Sequence, residues 1–234
     1  MLCIAGTIIA PVSYFILDSI PITVTGFSAL IIGFTCIALA NARPYISPEA
    51  CQLLLKTGME NTAALLEELG LKNKAIYLPS ALRDGHPQAL IPLKEDEVIQ
   101  KVKARIPGRL IVRYGNLPAD MAIAVTTPGS MSIDILESRP GPTPGEIESA
   151  VTYVLSGVLD IVDSVSVRFN DSQVIADVTN PGLTYEDVWY YRCLGSPIAS
   201  ILAAITSEAL GKPIRIMEET FRRGKGRIVL EVIS

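Results

Sequence analysis

Two long apolar runs open the chain and predict a pair of membrane-spanning helices. Residues 1–17 carry no charged side chain, and residues 19–42 form a second uncharged run rich in Ile, Leu, Ala, Phe and Gly. A helix needs about 20 apolar residues to cross roughly 30 Å of hydrocarbon. The second run is long enough, and the first, which contains Pro11, is at the lower limit. Because only a few residues around Asp18 separate the runs, we expect a tight helical hairpin with both ends on one side.

The charges around this hairpin predict its orientation. The turn carries only Asp18, whereas the second run is followed by Arg43 and later by Lys56, Lys72 and Lys74. Positive flanks favour the cytoplasmic side, so we expect a multi-pass protein of the cell membrane with its large domain in the cytoplasm. One alternative is a cleaved signal peptide, but the first run lacks a basic n-region. Another is the buried hairpin of a soluble core, although core helices normally show a polar stripe.

After residue 42 the apolar positions repeat a pattern of one helix followed by two strands, four times over. This pattern predicts an α+β fold of helix–strand–strand units behind the hairpin. A further helix is expected from Ser47 through Leu55. The predicted units are helix 62–69 with strands 74–78 and 88–93, helix 95–105 with strands 109–114 and 120–126, a helix from 144 with strands 165–169 and 174–178, and a helix from 197 with strands 214–220 and 227–233.

Local signals support the third and fourth helices. Thr143 and Glu146 have the spacing of a capping box, and Pro144 suits the first helical position. Ser196 and Pro197 repeat the N-cap and the proline for the fourth helix. The expected buried faces are Ile147, Val151, Val154, Leu155 and Val158 on the third helix, and Ile198, Ile201, Leu202 and Ile205 on the fourth, which ends at Gly211.

The four units divide into two halves at a segment rich in Pro and Gly, residues 137–144. We therefore predict three parts: a transmembrane hairpin 1–42, a soluble α+β half 43–138 and a second soluble α+β half 139–234. The halves could be duplicates of one another. The alternative is that the helix–strand–strand order is simply common in α+β folds.

Composition excludes several classes of function. The chain has 20 Lys plus Arg and 24 Asp plus Glu, and the hairpin holds one of the acids, so the soluble part has a net charge of 20 − 23 = −3. This balance gives no electrostatic footprint for nucleic acid. The four cysteines form no C-x-x-C pair, and the one histidine, His86, lies in a turn-like run, so we expect no metal and no cofactor. No catalytic motif is present, which argues against an enzyme.

The best candidate site lies where an aromatic cluster precedes the fourth helix. Its residues are Trp189, Tyr191, Arg192, Cys193, Gly195 and Ser196. A helix N-terminus offers free N–H groups to an anion, and Arg192 would pair with a phosphate or carboxylate. The same position would lower the pKa of Cys193 if its sulfur pointed at the helix end. The alternative is a plain helical corner in which Ser196 is a routine cap and the aromatics are core.

A second candidate is the basic turn between the last two strands. It contains Arg222, Arg223, Lys225 and Arg227. Basic residues near a bilayer contribute about 1 kcal/mol each to binding of anionic lipid headgroups. The alternative is a solvated hairpin tip whose field is diluted by Glu218 and Glu219, which adjoin on one strand and so point to opposite faces.

Two resemblances accompany these patterns. An apolar hairpin followed by Glu68-Leu69-Gly70-Leu71, then Ala75-Ile76-Tyr77-Leu78-Pro79 and Leu90-Ile91-Pro92-Leu93, resembles a group of uncharacterised archaeal membrane proteins over most of the chain, and implies no activity. The C-terminal helix, strand, Glu218-Glu219 and glycine-containing turn resemble the end of vinyl-reductase-type small-ligand-binding domains. Those domains carry cysteines in this region that are absent here, so the resemblance implies a fold and no ligand.

Together these features predict a membrane-anchored binding, scaffolding or regulatory module. Gly26, Ser28 and Gly33 would permit close packing between helices in the membrane, so we expect a homo-oligomer or a subunit of a membrane complex. The competing prediction is a sensor or enzyme that binds a small anionic or lipidic ligand near Arg192, Cys193 and Gly195.

Overall fold

The structure is a computed structural model that describes eight stretches of the chain: residues 2–16, 18–41, 48–84, 89–94, 105–118, 120–170, 172–182 and 189–233. The chain divides into two compact units, residues 1–57 and residues 58–234. Three features predicted from the sequence lie outside the described residues: Arg43, His86 and residues 95–104 of the second predicted helix.

The first unit contains a helical hairpin that coincides with the two apolar runs. Helix α1 spans Leu2–Phe15 and α2 spans Ile20–Asn41, with a reversal at Asp18, whose φ is 44°. At 1.5 Å per residue, α2 is about 33 Å long and α1 about 21 Å. By length and composition alone, Ile20–Leu39 is a candidate membrane span, and Cys3–Phe15 is a shorter apolar helix.

Small residues let α1 and α2 approach closely. A Cβ atom on Gly6 would lie 2.8 Å from the carbonyl oxygen of Gly26, and one on Gly26 would lie 2.8 Å from the backbone nitrogen of Ala10. Gly33 approaches α1 equally closely. Gly26 and Gly33, expected at a contact between subunits, are therefore used inside the hairpin, whereas Ser28 is exposed.

Two hydroxyls of the hairpin, those of Ser13 and Thr23, also face inward. Ser13 is 1% exposed, accepts a hydrogen bond from the Thr23 hydroxyl at 3.2 Å and donates one to the carbonyl of Ser19 at 3.2 Å. The large apolar side chains point outward instead. The exposed ones are Ile4, Ile8, Ile9, Val12, Tyr14, Phe15, Ile16, Ile20, Ile22, Val24, Phe27, Ile31, Ile32, Phe34, Ile37 and Leu39.

Helix α3, Pro48–Glu68, is one continuous helix where the sequence predicted two, and Gly70 ends it with a φ of 64°. The remaining elements are β1 Ile76–Tyr77, β2 Ala89–Pro92, β3 Ile111–Arg113, β4 Met121–Val125, α4 Pro128–Ser132, α5 Pro144–Thr152, β5 Ser164–Asn170, β6 Gln173–Thr179, α6 Trp189–Leu194, α7 Pro197–Leu210, β7 Ile214–Arg222 and β8 Lys225–Val232. The eight strands and the helices α5 and α7 follow the predicted order, and α4 and α6 are helices that the sequence did not predict.

Within the described residues, eight antiparallel strands form one sheet in the order β3-β4-β2-β1-β7-β8-β6-β5. The α+β class is thereby confirmed, as are the four predicted strand pairs. Each group of four strands has the same internal order: third, fourth, second, first. A duplicated chain would show this repeated order. The division into 43–138 and 139–234 stays a prediction.

The main hydrophobic core lies between this sheet and the helices. Every residue of α7 from Ile198 to Ala209 is buried, so the predicted single apolar stripe was too narrow. Trp189–Leu210 also has the length and composition of a membrane span, but 89% of its most apolar 18-residue stretch is buried, against 17% for Ile20–Leu39. We therefore interpret Trp189–Leu210 as core.

The predicted cap of α5 is confirmed, while its C-terminal end differs from the prediction. Thr143 and Glu146 form both hydrogen bonds of the capping box. After Thr152 the helix widens into a π-helical turn, Tyr153–Val158, which rotates the following side chains. Val158, predicted to be buried, is accordingly 47% exposed. Phe169 continues the alternation of the buried Val165 and Val167, so an inward position was expected, but near the end of β5 it is 40% exposed.

Candidate functional site

A groove of about 350 Å³ lies at the junction of α6, α7 and β7. Of the six predicted site residues, Tyr191, Arg192, Cys193 and Gly195 line it; Trp189 and Ser196 do not. Gly195 makes the corner between the helices with a φ of 75°, and a Cβ atom there would lie 2.6 Å from Cδ1 of Ile216. The sequence missed Lys74, Ile216 and Met217 as lining residues, because they arrive from distant strands and loops.

The N-terminus of α7 already holds an anion, which is a side chain of the protein itself. The Ser196 hydroxyl caps the helix by accepting a hydrogen bond from the Ala199 N–H at 3.2 Å. The Ser196 N–H donates to the two carboxylate oxygens of Glu219 at 3.2 and 3.1 Å. A carboxylate at this end of a helix interacts favourably with the helix dipole. Glu219 therefore occupies the position predicted for an external phosphate or carboxylate.

Cys193 differs from its predicted state. Its side chain is 3% exposed, and its thiol donates to the carbonyl of Leu71 at 3.4 Å rather than pointing at the start of α7. Burial raises the pKa of the Cys193 thiol, because the thiolate would lose its hydration. The condition for a lowered pKa, a sulfur that points at the start of α7, is therefore not met, and Cys193 is a buried thiol.

The aromatic residues of α6 attach it to the segment that links α3 to β1. The indole N–H of Trp189 donates to the carbonyl of Leu71 at 2.9 Å, and the Arg192 guanidinium lies over the Trp189 ring, 5.5 Å from its centroid. The Tyr191 hydroxyl contacts the sulfur of Met59 at 3.9 Å. Burial raises the pKa of Tyr190 to about 12. Trp189 and Tyr190 thus hold α6 in place.

The charges that line the groove are balanced. Lys74 and Arg192 contribute two positive charges, and Glu218 and Glu219 contribute two negative ones. The ammonium of Lys74 donates to the carbonyl of Met217, which fixes this cation at the wall. A purely anionic ligand would therefore meet as much repulsion as attraction here.

The second predicted site, the basic turn, borders a larger and more open concavity of about 650 Å³. Arg222, Lys225 and Arg227 line it, while Arg223 lies in the turn itself with a φ of 46°. Asp177 accepts from Arg227 at 2.9 Å and from Arg168, and the hydrogen bond from Arg227 chiefly holds the pKa of Asp177 below its usual range. The structure thus brings the predicted cations together around one concave surface.

Arg83 is a buried charged residue that the sequence did not reveal. Arg83 is 1% exposed, and its Nε and Nη1 atoms have no hydrogen-bond partner in the described part of the chain. Burial lowers the pKa of this guanidinium because the charged form loses its hydration. Nothing local predicts this, since an arginine after a short turn normally points to solvent. By contrast Glu208, also buried, accepts from the N–H and the hydroxyl of Ser80 at 2.8 and 2.7 Å.

Among the residues that the structure describes, no group of three or more His, Cys, Asp or Glu side chains is arranged to hold a metal ion. A family model described as a domain of unknown function, DUF7982, matches residues 24–232. No curated protein and no solved structure matches the chain. Because the match covers most of the chain, including much of α2, the protein belongs to the DUF7982 family.

Proposed function

We propose that this member of the DUF7982 family is a membrane-anchored binding, scaffolding or regulatory module. In this proposal the hairpin lies in the bilayer and the second unit acts from the membrane surface. The observation that supports it is the distribution of side chains on α1 and α2: glycines and Ser13 face the partner helix, and large apolar groups face outward. Soluble proteins rarely expose an apolar surface of this extent.

The magnitude of the apolar surface favours insertion. Transfer of one Ile, Leu or Phe side chain out of water contributes about 1.5–3 kcal/mol. Summed over the exposed apolar side chains of the hairpin, the gain is on the order of tens of kcal/mol, far more than the few kcal/mol that Asp18 in the turn would cost at the interface. The exposed hydroxyls of Thr7, Thr25, Ser28 and Thr35 each donate to a backbone carbonyl of their own helix, as the hydrocarbon region requires.

The second unit is proposed to lie in the cytoplasm, as part of a homo-oligomer or of a membrane complex. The positive residues that follow the hairpin support this orientation. Gly26 and Gly33 pack against α1 within the hairpin and are not free to contact a second copy. Self-association would therefore use the outward apolar surface of the hairpin, or the second unit. Native mass spectrometry of the full chain released from nanodiscs tests this part: masses of two or more copies, or of a second protein, support it, and a bare monomer at all concentrations contradicts it.

Membrane insertion itself is tested with charges placed on the outward face. Lysine near the centre of a membrane helix costs about 2.5–3.5 kcal/mol on insertion scales. The double variant Ile8→Lys with Ile31→Lys should therefore shift the protein out of the membrane fraction in an alkaline carbonate extraction. The matched control is Leu110→Lys with Leu117→Lys, at positions of the second unit that are 53% and 58% exposed. Wild type that appears in the soluble fraction would contradict the proposal.

A second candidate function is binding of a small ligand in the groove beside Arg192. The observation that favours it is that four of the predicted residues do line one open groove. Its balanced charges favour a ligand with both a positive and a negative group over a purely anionic one. The likenesses to archaeal membrane proteins and to vinyl-reductase-type domains remain proposals about relatedness and fold, and they add no support for a ligand. A reproducible extra mass on the nanodisc-released chain, lost in Arg192→Ala and kept in Arg113→Ala, would support it. Wild-type protein that is released without any extra mass would contradict it.

A further inference from the structure

We propose that the solvent-facing surface of β6, β7 and β8, next to the turn Arg223-Gly224, binds a phosphate group. The inference rests on the second unit and holds whether or not the hairpin lies in a membrane. The sequence predicted only that several cations lie in one turn. The register of the three strands adds which side chains lie opposite one another.

The three strands place two rows of polar side chains side by side on one face. In the first row, Arg222 is opposite Lys225, and Lys225 is opposite Thr179. In the second row, Thr220 is opposite Arg227, and Arg227 is opposite Asp177. On β8, the exposed Lys225 and Arg227 alternate with the buried Gly226 and Ile228. Both rows therefore lie on the exposed face of the sheet. The concavity of about 650 Å³ is lined by these same six side chains.

The surface carries excess positive charge. The one acid among the six, Asp177, is already paired with Arg227 and Arg168. The two glutamates expected to dilute the field separate: Glu219 goes to the opposite face and caps α7, while Glu218 stays on this face and accepts from Thr220 at 3.4 Å. In the part of the chain that the structure describes, Arg222, Arg223 and Lys225 pair with no acid.

Two features of the tip lower the stability of the unliganded protein. Arg222 and Lys225 are directly opposite on neighbouring strands, where like charges repel. Arg223 has a φ of 46° in a two-residue turn that normally takes Asn, Asp or Gly at this place. An anion bound between Arg222 and Lys225 would turn their repulsion into attraction. Strained backbone conformations of the kind seen at Arg223 cluster at ligand-binding and switch sites.

Phosphate is the anion that best fits these groups. Guanidinium groups present several N–H donors in a plane that matches phosphate oxygens, and a dianion balances the two unpaired charges of Arg222 and Lys225. The Thr179 hydroxyl in the first row offers a further donor. A free phosphate compound and the headgroup of an anionic lipid share this chemistry, and the open concavity admits either.

Two assays on the full chain separate these sources. Isothermal titration of the detergent-solubilised protein with inorganic pyrophosphate measures binding of a free phosphate compound. Cosedimentation of the protein, held in phosphatidylcholine nanodiscs, with vesicles of phosphatidylcholine alone or mixed with phosphatidic acid measures binding of a headgroup. The test variant is Arg222→Gln with Lys225→Gln. The control, Lys72→Gln with Arg113→Gln, removes two exposed charges elsewhere in the unit.

The expected result is that the test variant weakens binding about tenfold or more, whereas the control changes it less than about twofold. If wild type binds pyrophosphate and the test variant does so more weakly, the ligand is a soluble phosphate compound. If the variant differs from wild type only in binding to phosphatidic acid vesicles, the ligand is a lipid headgroup. No binding in either assay, or equal loss in the control, would overturn the proposal. Lys225→Glu guards against a folding artefact, because it replaces the like-charge pair by an ion pair and should keep the fold while abolishing binding.

Discussion

Removal of the Glu219 carboxylate should destabilise the second unit by an amount that its contacts define. Both oxygens of Glu219 accept from the Ser196 N–H, at 3.2 and 3.1 Å, at the start of α7. A hydrogen bond to a charged group contributes about 1.5–3 kcal/mol, and a carboxylate at a helix N-terminus about 0.3–1 kcal/mol. Glu219 is half-buried beside an open groove, so in the variant water can hydrogen-bond to the Ser196 N–H and restore part of the lost stabilisation. We therefore expect Glu219→Ala to cost about 1–2 kcal/mol.

Thermal unfolding of the full chain in detergent measures this cost. Trp189 is the single tryptophan and lies in the adjacent helix, so its fluorescence follows the region directly. For a unit of this size the cost corresponds to a fall in Tm of about 2–8 °C. Glu219→Gln keeps a hydrogen-bond acceptor but has no charge, so its Tm should lie between those of wild type and Glu219→Ala. Glu218→Ala, at the neighbouring exposed position, is the control and should stay within about 0.5 kcal/mol of wild type.

The reasoning would be refuted if Glu218→Ala and Glu219→Ala lowered Tm equally, or if neither changed it. Either result would mean that the carboxylate of Glu219 does not serve as the anion at the start of α7. The position would then be open to an external phosphate or carboxylate, as the sequence first predicted.

Three further changes have expected outcomes. Gly26→Val places side-chain atoms against the backbone of Ala10, so the variant protein should lose its monodisperse peak in size-exclusion chromatography. Gly58→Ala, which has open space around it, should keep that peak, and equal peaks for the two variants would contradict this. Arg83→Met replaces a buried guanidinium, whose Nε and Nη1 have no hydrogen-bond partner among the described residues, by an apolar chain. It should raise the free energy of unfolding in urea by about 1–3 kcal/mol, and a decrease would contradict this. Cys193 should resist iodoacetamide in the native protein, because burial raises its pKa, and react after unfolding, as mass spectrometry of its tryptic peptide reports; rapid native alkylation would contradict this.

Features with local causes could be predicted from the sequence. The capping box of α5 depends on Thr143 and Glu146, three residues apart, and the end of α7 depends on Gly211, whose φ is 64°. Strands β5, β6 and β8 followed from alternation of apolar and polar residues, because this part of the sheet has one face toward the helices, whereas every residue of β2 is buried. α4 was missed, because its capping box uses Ser130 in place of the usual Glu or Gln and the helix is only five residues long.

Features with distant causes could not be predicted. The strand order depends on pairing between β1 and β7, which are far apart in sequence. Glu219 was expected only to dilute the positive field of the basic turn; its role at the start of α7 could not be predicted, because its partner Ser196 lies 23 residues earlier. The direction of the Cys193 sulfur depends on Leu71, 122 residues away. For these reasons the groove could be located from the sequence while its electrostatics could not.

The most direct test of membrane anchoring compares two helical segments of similar composition. The full chain in lipid vesicles is labelled with a photoactivated, lipid-soluble diazirine, and the modified peptides are identified by mass spectrometry. The account predicts label on Ile20–Leu39, whose apolar side chains face outward, and none on Trp189–Leu210, which is buried in the core of the second unit. Label on neither segment, or equal label on both, would contradict the claim that the hairpin anchors this protein in a membrane.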